Sequence, residues 1–403
     1  MNLTKIQIDA LNNCVKCSIC VNSCPVSSVN PQFPGPKQLG VDWLRLAQEE
    51  QGQPRPSVDY CSNCKTCEAV CPSGVLVGTL NQLAKSNLPQ RGLGMREEIF
   101  SDPSLLGRFI HIWPQAGNMA TGLRPVKFLT ERTVGISSQS PMPAYSMQTF
   151  KKMARRYKTK FSETPKEVIY FPGCFTQYNQ PKIGMSLVKI LSKLNYKVIV
   201  PDFKCCGQPA ISNARLDKTK KFAEHNLDIL RQELIDGRPL IFSCPSCLLT
   251  FKEEYKNILG FHEYSDFTSS MQDAGQFLLN HREQLAALLR MENTQSAKYA
   301  YHEPCHLRVA GQGTPGLVLL RSLMGLDITP LEAGCCGMAG SYGLKAEKEW
   351  VSREIGNSVK DAVISLNPQA VITECGMCSV QINSLTELAV KHPLEMLAEQ
   401  IKA

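Results

Sequence analysis

The sequence predicts an α+β protein, in which a helical, cysteine-rich domain precedes a duplicated α/β domain. Three observations predict this fold class. Two four-cysteine motifs lie within the first 80 residues, a strand–turn–helix pattern runs twice after residue 167, and the cysteines of the two runs repeat at a nearly constant spacing. We expect a two-motif cysteine-rich domain at residues 1–80, a basic helical connector at 81–166, a first α/β repeat at 167–297 and a second α/β repeat at 298–403.

The composition supports a soluble protein whose cysteines do chemistry. The chain has 403 residues, of which 43% are apolar and 20% charged, so it is long and apolar enough to bury proper cores. Its 18 cysteines far exceed what packing needs. The N-terminus has no apolar signal segment, and no apolar run is long enough to span a membrane. In a reducing cytosol such cysteines bind metals or take part in redox chemistry rather than form disulfides.

The positive charge is concentrated in the connector. The chain carries 44 basic and 36 acidic side chains, and residues 76–166 hold 14 of the former and 5 of the latter. A basic run near its end comprises Lys151, Lys152, Arg155, Arg156, Lys158 and Lys160. A basic connector between neutral domains indicates an acidic partner or an anionic lipid surface, or else a solvated face. We expect no nucleic acid partner, because no zinc-finger, RNA-recognition or helix-turn-helix pattern accompanies the charge.

Two motifs of the form Cys-x2-Cys-x2-Cys-x3-Cys-Pro define the N-terminal domain. The first comprises Cys14, Cys17, Cys20 and Cys24, and the second Cys61, Cys64, Cys67 and Cys71. This is the spacing of bacterial ferredoxins, in which the fourth cysteine ligates the other cluster. We therefore predict a ferredoxin-like domain with two cubane [4Fe–4S] clusters, one held by Cys14, Cys17, Cys20 and Cys71, the other by Cys61, Cys64, Cys67 and Cys24. Zinc is disfavoured, because zinc ligands usually come in well-separated pairs.

One short helix stands out in the connector. It is predicted to run from Pro103 to Trp113, with Asp102 as its N-cap and Pro114 as its stop. Its apolar face comprises Leu105, Leu106, Phe109, Ile110 and Trp113. We expect this face either to lie in a membrane interface or to pack on another domain or subunit.

Strands and helices alternate in the duplicated half. The predicted strands cover residues 167–171, 197–200 and 239–242 in the first repeat, and 298–302, 326–331 and 370–373 in the second. Each ends just before one or two cysteines. Strands separated by helices form parallel β–α units, whose functional groups collect at the carboxyl ends of the strands. The cysteines of each repeat are therefore expected to converge.

Each repeat supplies five cysteines. They are Cys174, Cys205, Cys206, Cys244 and Cys247 in the first repeat and Cys305, Cys335, Cys336, Cys375 and Cys378 in the second. In each repeat, two of these cysteines are adjacent in sequence. Both of their sulfurs can point to one site only if the chain turns tightly there, which the following Gly207 or Gly337 permits. Three interpretations remain: a four-ligand cluster with a free thiol, an unusual five-ligand cluster, or a zinc site. Buried structural cysteines are disfavoured, because they would not repeat in spacing.

Other motifs are weaker. His302 and His306 flank Cys305 and are either satisfied structural histidines or donors to a cluster sulfur. The segment Gly311-Gln-Gly313-Thr-Pro-Gly316 does not directly follow a strand, so we interpret it as a loop that opens a helix over Leu317–Leu323 rather than a dinucleotide site. Neither a Walker motif nor a nucleophile elbow occurs, so nothing marks the chain as a nucleotide-binding protein or a hydrolase.

The duplicated cysteine pattern resembles the cysteine-rich CCG domains of heterodisulfide reductase and of the iron–sulfur subunits of glycolate oxidase and lactate-utilisation complexes. Over nearly the whole chain, the sequence resembles the C-subunit family of anaerobic glycerol-3-phosphate dehydrogenases. The resemblance rests on CVKCSICVNSCPVSSVNPQFPGPKQ (Cys14–Gln38), YCSNCKTCEAVCPSGV (Tyr60–Val75), PGCFTQYN (Pro172–Asn179) and GCCGMAGSYGLK (Gly334–Lys345).

The resemblance implies an electron-transfer subunit without substrate chemistry of its own, so no catalytic residue is assigned. A flavin-containing dehydrogenase subunit would oxidise glycerol 3-phosphate, and this chain would pass the electrons toward quinone from the cytoplasmic side of the inner membrane, as a peripheral subunit. It also implies up to two further [4Fe–4S] clusters, of the non-cubane type, bound by the five cysteines of each repeat. The alternatives are a glycolate- or lactate-oxidase iron–sulfur component, a heterodisulfide-reductase-like enzyme that acts directly on a disulfide, and a zinc-stabilised scaffold.

Overall fold

The N-terminal part of the protein is a small helical unit built around its cysteines. A computed structural model describes residues 3–50, 52–89, 94–161, 164–234, 236–290 and 297–402. The helices of this part are α1 (Lys5–Asn12), α2 (Ile19–Asn22), α3 (Trp43–Glu50), α4 (Thr66–Ala69) and α5 (Val77–Ser86), with a π-helical turn at Lys37–Asp42 and a 3₁₀ turn at Pro56–Tyr60. Val41, Leu44 and Leu80 form its apolar core together with Cys20 and Cys67. The core is small, so the cysteine sites sit directly against it.

The connector is a run of short helices, of which all but the first start at a proline or a polar cap. They are α6 (Met95–Ser101), α7 (Pro103–Ile110), α8 (Pro114–Gly122), α9 (Arg124–Val134) and α10 (Phe150–Arg156). The predicted cap of α7 is confirmed, because the Asp102 carboxylate accepts the Ser104 N–H at 3.1 Å. The predicted end of this helix is wrong: α7 stops at Ile110, and Pro114 begins α8 instead of merely ending α7. Proline suits the first turn of a helix as well as it ends the previous one.

The first repeat contains a four-stranded parallel sheet. Its elements are β1 (Lys166–Phe171), α11 (Gly173–Tyr178), α12 (Pro181–Lys193), β2 (Tyr196–Ile199), α13 (Gln208–Ser212), α14 (Leu216–Glu233), β3 (Leu240–Phe242), α15 (Pro245–Leu249), α16 (Tyr255–Leu259), β4 (Met271–Asp273), α17 (Ala274–Leu279) and α18 (Arg282–Leu288), with a π-helical turn at Thr250–Glu254 and a 3₁₀ turn at His262–Ser270. The strand order is β2-β1-β3-β4. Parallel strands of this kind bring their carboxyl ends to one edge.

The second repeat copies this topology. Its elements are β5 (Lys298–Tyr301), α19 (Cys305–Val309), α20 (Pro315–Met324), β6 (Asp327–Pro330), α21 (Glu349–Leu366), β7 (Ala370–Ile372), α22 (Gly376–Thr386), β8 (Val390–Lys391) and α23 (Pro393–Glu399), with a 3₁₀ turn at Tyr342–Leu344. All its strand pairs are parallel, in the order β6-β5-β7-β8. The six predicted strands are confirmed to within a few residues, and the glycine-rich segment does open a helix, which starts at Pro315. The last strand of each sheet, β4 in the first repeat and β8 in the second, was not predicted.

The repeats pack face to face around a shared core. Helix α12 of the first repeat contacts α23 of the second. The counterparts of these two helices, α20 of the second repeat and α17 of the first, contact each other in the same way. These two contacts are therefore related by a pseudo-twofold axis, as in an isologous dimer. Leu187 and Leu191 of one repeat and Leu320 and Leu397 of the other belong to the same buried cluster. The duplicated half is thus one rigid body with two equivalent cysteine sets.

Candidate iron–sulfur centres

The eight N-terminal cysteines surround two small cavities. One cavity is lined by Cys14, Cys17, Cys20 and Cys71, which we call set A. The other is lined by Cys24, Cys61, Cys64 and Cys67, which we call set B. The structure therefore brings together the two predicted groups, with the fourth cysteine of each motif crossed to the other cavity.

An unusual backbone conformation brings the cysteines of each motif to one cavity. In each motif, the two residues that flank the second cysteine have φ values between 58° and 64°. They are Lys16 and Ser18 in the first motif and Asn63 and Lys65 in the second. Non-glycine residues rarely adopt this left-handed conformation. Strain repeated at matching positions of both motifs is typical of a functional loop, where the surrounding site holds the backbone in place.

The N-terminal thiols fit clusters that need thiolate ligands. Burial, together with the charge of Cys64, raises the pKa of Cys24 to about 12. Burial and its three partners in set A likewise raise the pKa of Cys20. Thiols crowded in this way cannot all ionise unless a cation compensates them, as iron does. Hydrogen bonds to the sulfurs are already in place, because the Val75 N–H donates to Cys71 Sγ at 3.3 Å and the Gln82 amide donates to Cys61 Sγ at 3.4 Å.

Set B is surrounded by a surplus of buried positive charge. Lys85 and Lys348 share the single carboxylate of Asp59, at 3.2 and 2.5 Å. Burial and the charge of Lys85 lower the pKa of Lys348 to about 7. Burial alone would raise the pKa of Asp59, but the charges of Lys85 and Lys348 hold it well below its usual range. Burial raises the pKa of Cys61, and the charges of Lys85, Lys65 and Lys348 oppose this rise. An anionic cluster with four thiolates would balance this surplus.

The five cysteines of each repeat form one connected group. In the first repeat, each thiol shifts the pKa of its neighbour in the order Cys174, Cys205, Cys206, Cys247, Cys244; we call this group set D. In the second repeat the same order runs through Cys305, Cys335, Cys336, Cys378 and Cys375, which we call set C. The Cys336 and Cys378 sulfurs are 3.3 Å apart. All five thiols converge in each repeat, and neither repeat leaves its fifth cysteine elsewhere.

The predicted glycine turns after the cysteine pairs are confirmed. Gly207 and Gly337 have φ values of 84° and 85°, in the left-handed region. A Cβ at Gly207 would lie 2.9 Å from the Thr219 side chain, and one at Gly337 would overlap the backbone of Ser352. The N–H of each glycine donates to the first cysteine of its pair, at 3.4 and 3.3 Å. The turn thus directs both sulfurs of a pair to one site and supplies a hydrogen bond there.

The two histidines near Cys305 have different environments. A ring nitrogen of His302 lies within 4.8 Å of the sulfurs of Cys336 and Cys378, and burial lowers the pKa of this histidine to about 4. His306 instead links three parts of the chain. Its Nε2–H donates to the Asn63 carbonyl at 2.9 Å, so its Nδ1 accepts from the Ser246 hydroxyl at 2.8 Å. His306 therefore joins the loops that carry sets B, C and D.

The four sets form a series of neighbours. Sets A and B share one core, to which Cys20 and Cys67 both belong. Burial raises the pKa of Cys64 to about 11, and the charge of Cys335 adds to this rise, so set B lies next to set C. The Cys247 thiol lowers the pKa of Cys244 in set D, and the charge of Cys375 in set C opposes this shift. Sets C and D are therefore neighbours. The order is A, B, C, D.

A buried ion pair fixes this series across the domains. Lys65 Nζ lies 2.5 Å from Glu254 of the first repeat, and both side chains are almost fully buried. Gln7 donates to the carbonyl of Asn257 at 2.9 Å, and Lys85 donates to the carbonyl of Ser212 at 2.9 Å. The sequence did not indicate these contacts, because the partners are far apart in the chain.

Comparisons with known proteins agree with this architecture. Residues 10–75 match the family described as a 4Fe-4S dicluster domain, and residues 168–252 and 299–383 both match the cysteine-rich CCG domain. The C subunit of the anaerobic glycerol-3-phosphate dehydrogenase of Escherichia coli is 32% identical over 97% of this chain and 99% of its own length. The chain belongs to this C-subunit family. It is therefore an iron–sulfur electron-transfer subunit.

More distant relatives match nearly the whole of this chain. The B subunit of the fumarate reductase (CoM/CoB) of Methanothermobacter marburgensis is 25% identical over 96% of this chain and 72% of its own. The D subunit of the dihydromethanophenazine:CoB–CoM heterodisulfide reductase of Methanosarcina barkeri is 22% identical over 99% of this chain and 96% of its own. Among the described residues, no helix is both long and apolar enough to cross a bilayer.

Proposed function

We propose that this protein carries electrons from a flavin-containing dehydrogenase subunit toward quinone at the cytoplasmic surface of the inner membrane. The observation that carries this proposal is the series of neighbouring sets A to D. An iron–sulfur cluster at each set would accept and release one electron at a time, in two cubane [4Fe–4S] clusters at sets A and B and two five-cysteine [4Fe–4S] clusters at sets C and D. Substrate oxidation takes place on the partner, with glycerol 3-phosphate as the proposed substrate.

Set A is the end that faces the flavin-containing partner. Cys17 is exposed, unlike the buried Cys20, Cys24, Cys64 and Cys67. Apolar side chains beside it are also exposed: Val15 is 68% exposed, and Ile19 of α2 is 41% exposed. An exposed apolar patch next to a redox site is typical of a protein–protein contact. Electrons from a docked subunit would therefore enter here.

The connector is the part proposed to meet the membrane. Of its predicted apolar face, Leu105, Phe109 and Trp113 are exposed, by 39%, 63% and 70%, whereas Leu106 and Ile110 are half-buried. On or beside helices α7 to α9, Ile112, Met119, Phe128 and Leu129 are exposed as well, and we call these exposed apolar side chains the strip. Aromatic and aliphatic side chains beside an excess of basic residues favour binding at the surface of an anionic bilayer.

Reduction by a partner tests the proposed function directly. The anaerobically reconstituted chain is mixed with a purified flavin-containing glycerol-3-phosphate dehydrogenase and its substrate, and reduction is followed by electron paramagnetic resonance. We expect reduction only when both partner and substrate are present. Val15→Asp is expected to slow it at least tenfold by charging the contact surface, whereas Val318→Asp, at another exposed valine on α20, is the matched control. Turnover of a disulfide by the isolated chain would instead favour the heterodisulfide-reductase alternative.

Vesicle binding tests the membrane contact. Phe109→Ser combined with Trp113→Ser removes two large side chains from the strip, worth about 2–4 kcal/mol of apolar burial. We therefore expect at least a tenfold loss of co-sedimentation with vesicles that contain anionic phospholipid. Trp350→Ser on α21 removes a partly exposed tryptophan outside the strip and should leave binding unchanged. Equal binding of the wild type and the double variant would contradict a membrane role for the strip.

A further inference from the structure

We propose that the cavity beside Cys174 binds the quinone head group, so that set C receives electrons and set D delivers them. This inference rests on the proposed function, which leaves the quinone site unassigned. It is carried by three observations: the cavity itself, the asymmetry between the two repeats at this position, and the apolar strip at the mouth of the cavity.

The cavity has a volume of about 420 Å³ and opens to solvent. Residues 171–174 form one wall and residues 201–205 a second, so Cys174 and Cys205 both line it. The third wall comes from the connector, through Ser104, Arg108 and Lys151. These connector residues do not belong to any cysteine set, so the space extends beyond a cluster site. A volume of this size suits a small-molecule ring system.

The pseudo-twofold relation shows that the two repeats use the same position differently. Cys305 is the counterpart of Cys174. Its helix α19 packs against α4 of the N-terminal domain, the helix that carries Cys67 of set B. In the second repeat this position is therefore closed by set B. In the first repeat, connector helices α7 and α10 contact α11 and leave the cavity next to Cys174.

The walls match the chemistry of a quinone. Phe203 is half-buried, with its ring centroid 5.2 Å from that of the buried Phe171, and offers an aromatic surface to a planar ring. Lys151 pairs with Asp202 at 2.6 Å, and Arg108 and Lys204 add further positive charge. Cations near the oxygens stabilise the negative charge that develops there on reduction.

The mouth of the cavity joins the exposed strip through helix α7. Ser104 and Arg108, one turn apart, line the cavity, whereas Leu105 and Phe109 are exposed to the outside. A Cβ at Gly107 would lie 2.6 Å from the Tyr178 ring, so α7 sits tightly on α11. An isoprenoid tail can thus lie along the strip, in lipid, while the head group reaches the cysteine end of the first repeat.

The reaction at this site balances as a two-electron reduction. One quinone takes up two electrons and two protons to give one quinol. The reductant is the reduced flavin of the partner subunit, which is oxidised in the same turnover. The protons come from water at the open mouth of the cavity.

Photoaffinity labelling tests the site without relying on turnover. The full chain with its clusters is irradiated with a short-tailed azidoquinone, and labelled peptides are mapped by mass spectrometry. We expect label on residues 103–110, 171–178 and 201–205, which line the cavity. Ser104→Trp, which fills the cavity, should lower labelling at least fivefold, and Arg108→Gln should weaken protection by unlabelled quinone several-fold. Ser269→Trp, at an exposed serine away from the cavity, is the matched control.

The outcomes separate this site from the proposed function. Both variants should retain the wild-type iron content and should still be reduced by the flavin-containing partner. Label at other peptides, unchanged labelling in Ser104→Trp, or protection by a small dianion but not by quinone would overturn the quinone site while electron transfer stands. Failure of the partner to reduce the wild-type chain would overturn the proposed function, whatever the labelling shows.

Discussion

Lys65→Met is expected to destabilise the protein by about 3–5 kcal/mol, because it leaves a buried carboxylate without its partner. The Lys65 side chain has no solvent exposure and contacts Glu254 at 2.5 Å, Glu68 at 3.2 Å and the Thr79 hydroxyl at 2.6 Å. Burial alone would lower the pKa of Lys65, but the carboxylates of Glu254 and Glu68 outweigh it, so the pKa is raised. Burial raises the pKa of Glu254. Urea unfolding of the cluster-loaded protein measures the change.

Two further variants define what this effect means. Lys65→Met combined with Glu254→Leu removes both charges of the interdomain pair and should recover a large part of the loss. Lys220→Met breaks an exposed pair with Glu224, 3.9 Å apart, and should change stability by less than about 0.5 kcal/mol. A change of less than about 1 kcal/mol in Lys65→Met would show that the pair does not hold the N-terminal domain on the first repeat.

Cys71→Ser and Cys24→Ser are expected to each remove about four iron atoms, but from opposite motifs. Because the fourth cysteine of each motif faces the other cavity, Cys71→Ser should empty set A and Cys24→Ser should empty set B. Alkylation followed by peptide mapping identifies the thiols that lose their metal. In Cys71→Ser, Cys14, Cys17 and Cys20 should become reactive, and in Cys24→Ser, Cys61, Cys64 and Cys67 should.

The two variants serve as controls for each other. They make the same chemical change at matching positions of the two motifs, so a general loss of folding would affect both patterns alike. Reactivity of Cys61, Cys64 and Cys67 in Cys71→Ser would mean that each motif holds its own cluster, and the crossed arrangement would be wrong.

Much of the site was predictable because it is encoded by local spacing. The repeat of the cysteine motifs indicated sets A and B, and the strands before each cysteine indicated where sets C and D would form. The Cys-Cys-Gly turns followed from the freedom of glycine, and Gly207 and Gly337 do have positive φ values. Edge strands β4 and β8 have only three and two residues, too few for a pattern of alternation to show.

The arrangement of the sets relative to one another could not be predicted. It depends on contacts between residues that are far apart in sequence, such as His306 with Asn63 and Ser246. The exposed face of α7 was also undetermined, since an apolar helix face in a sequence looks the same whether it meets a domain, a subunit or lipid. The cavity beside Cys174 arises only when the connector folds over the first repeat.

Analysis of iron and acid-labile sulfide in the anaerobically purified chain tests the four-set series most directly. At four iron atoms per cluster, filled sets A to D contain about 16 iron and about 16 sulfide per chain, and this is the expected result. About 8 of each would confine the clusters to sets A and B and contradict the proposed path through the repeats. Values near zero would contradict the assignment of all four sets.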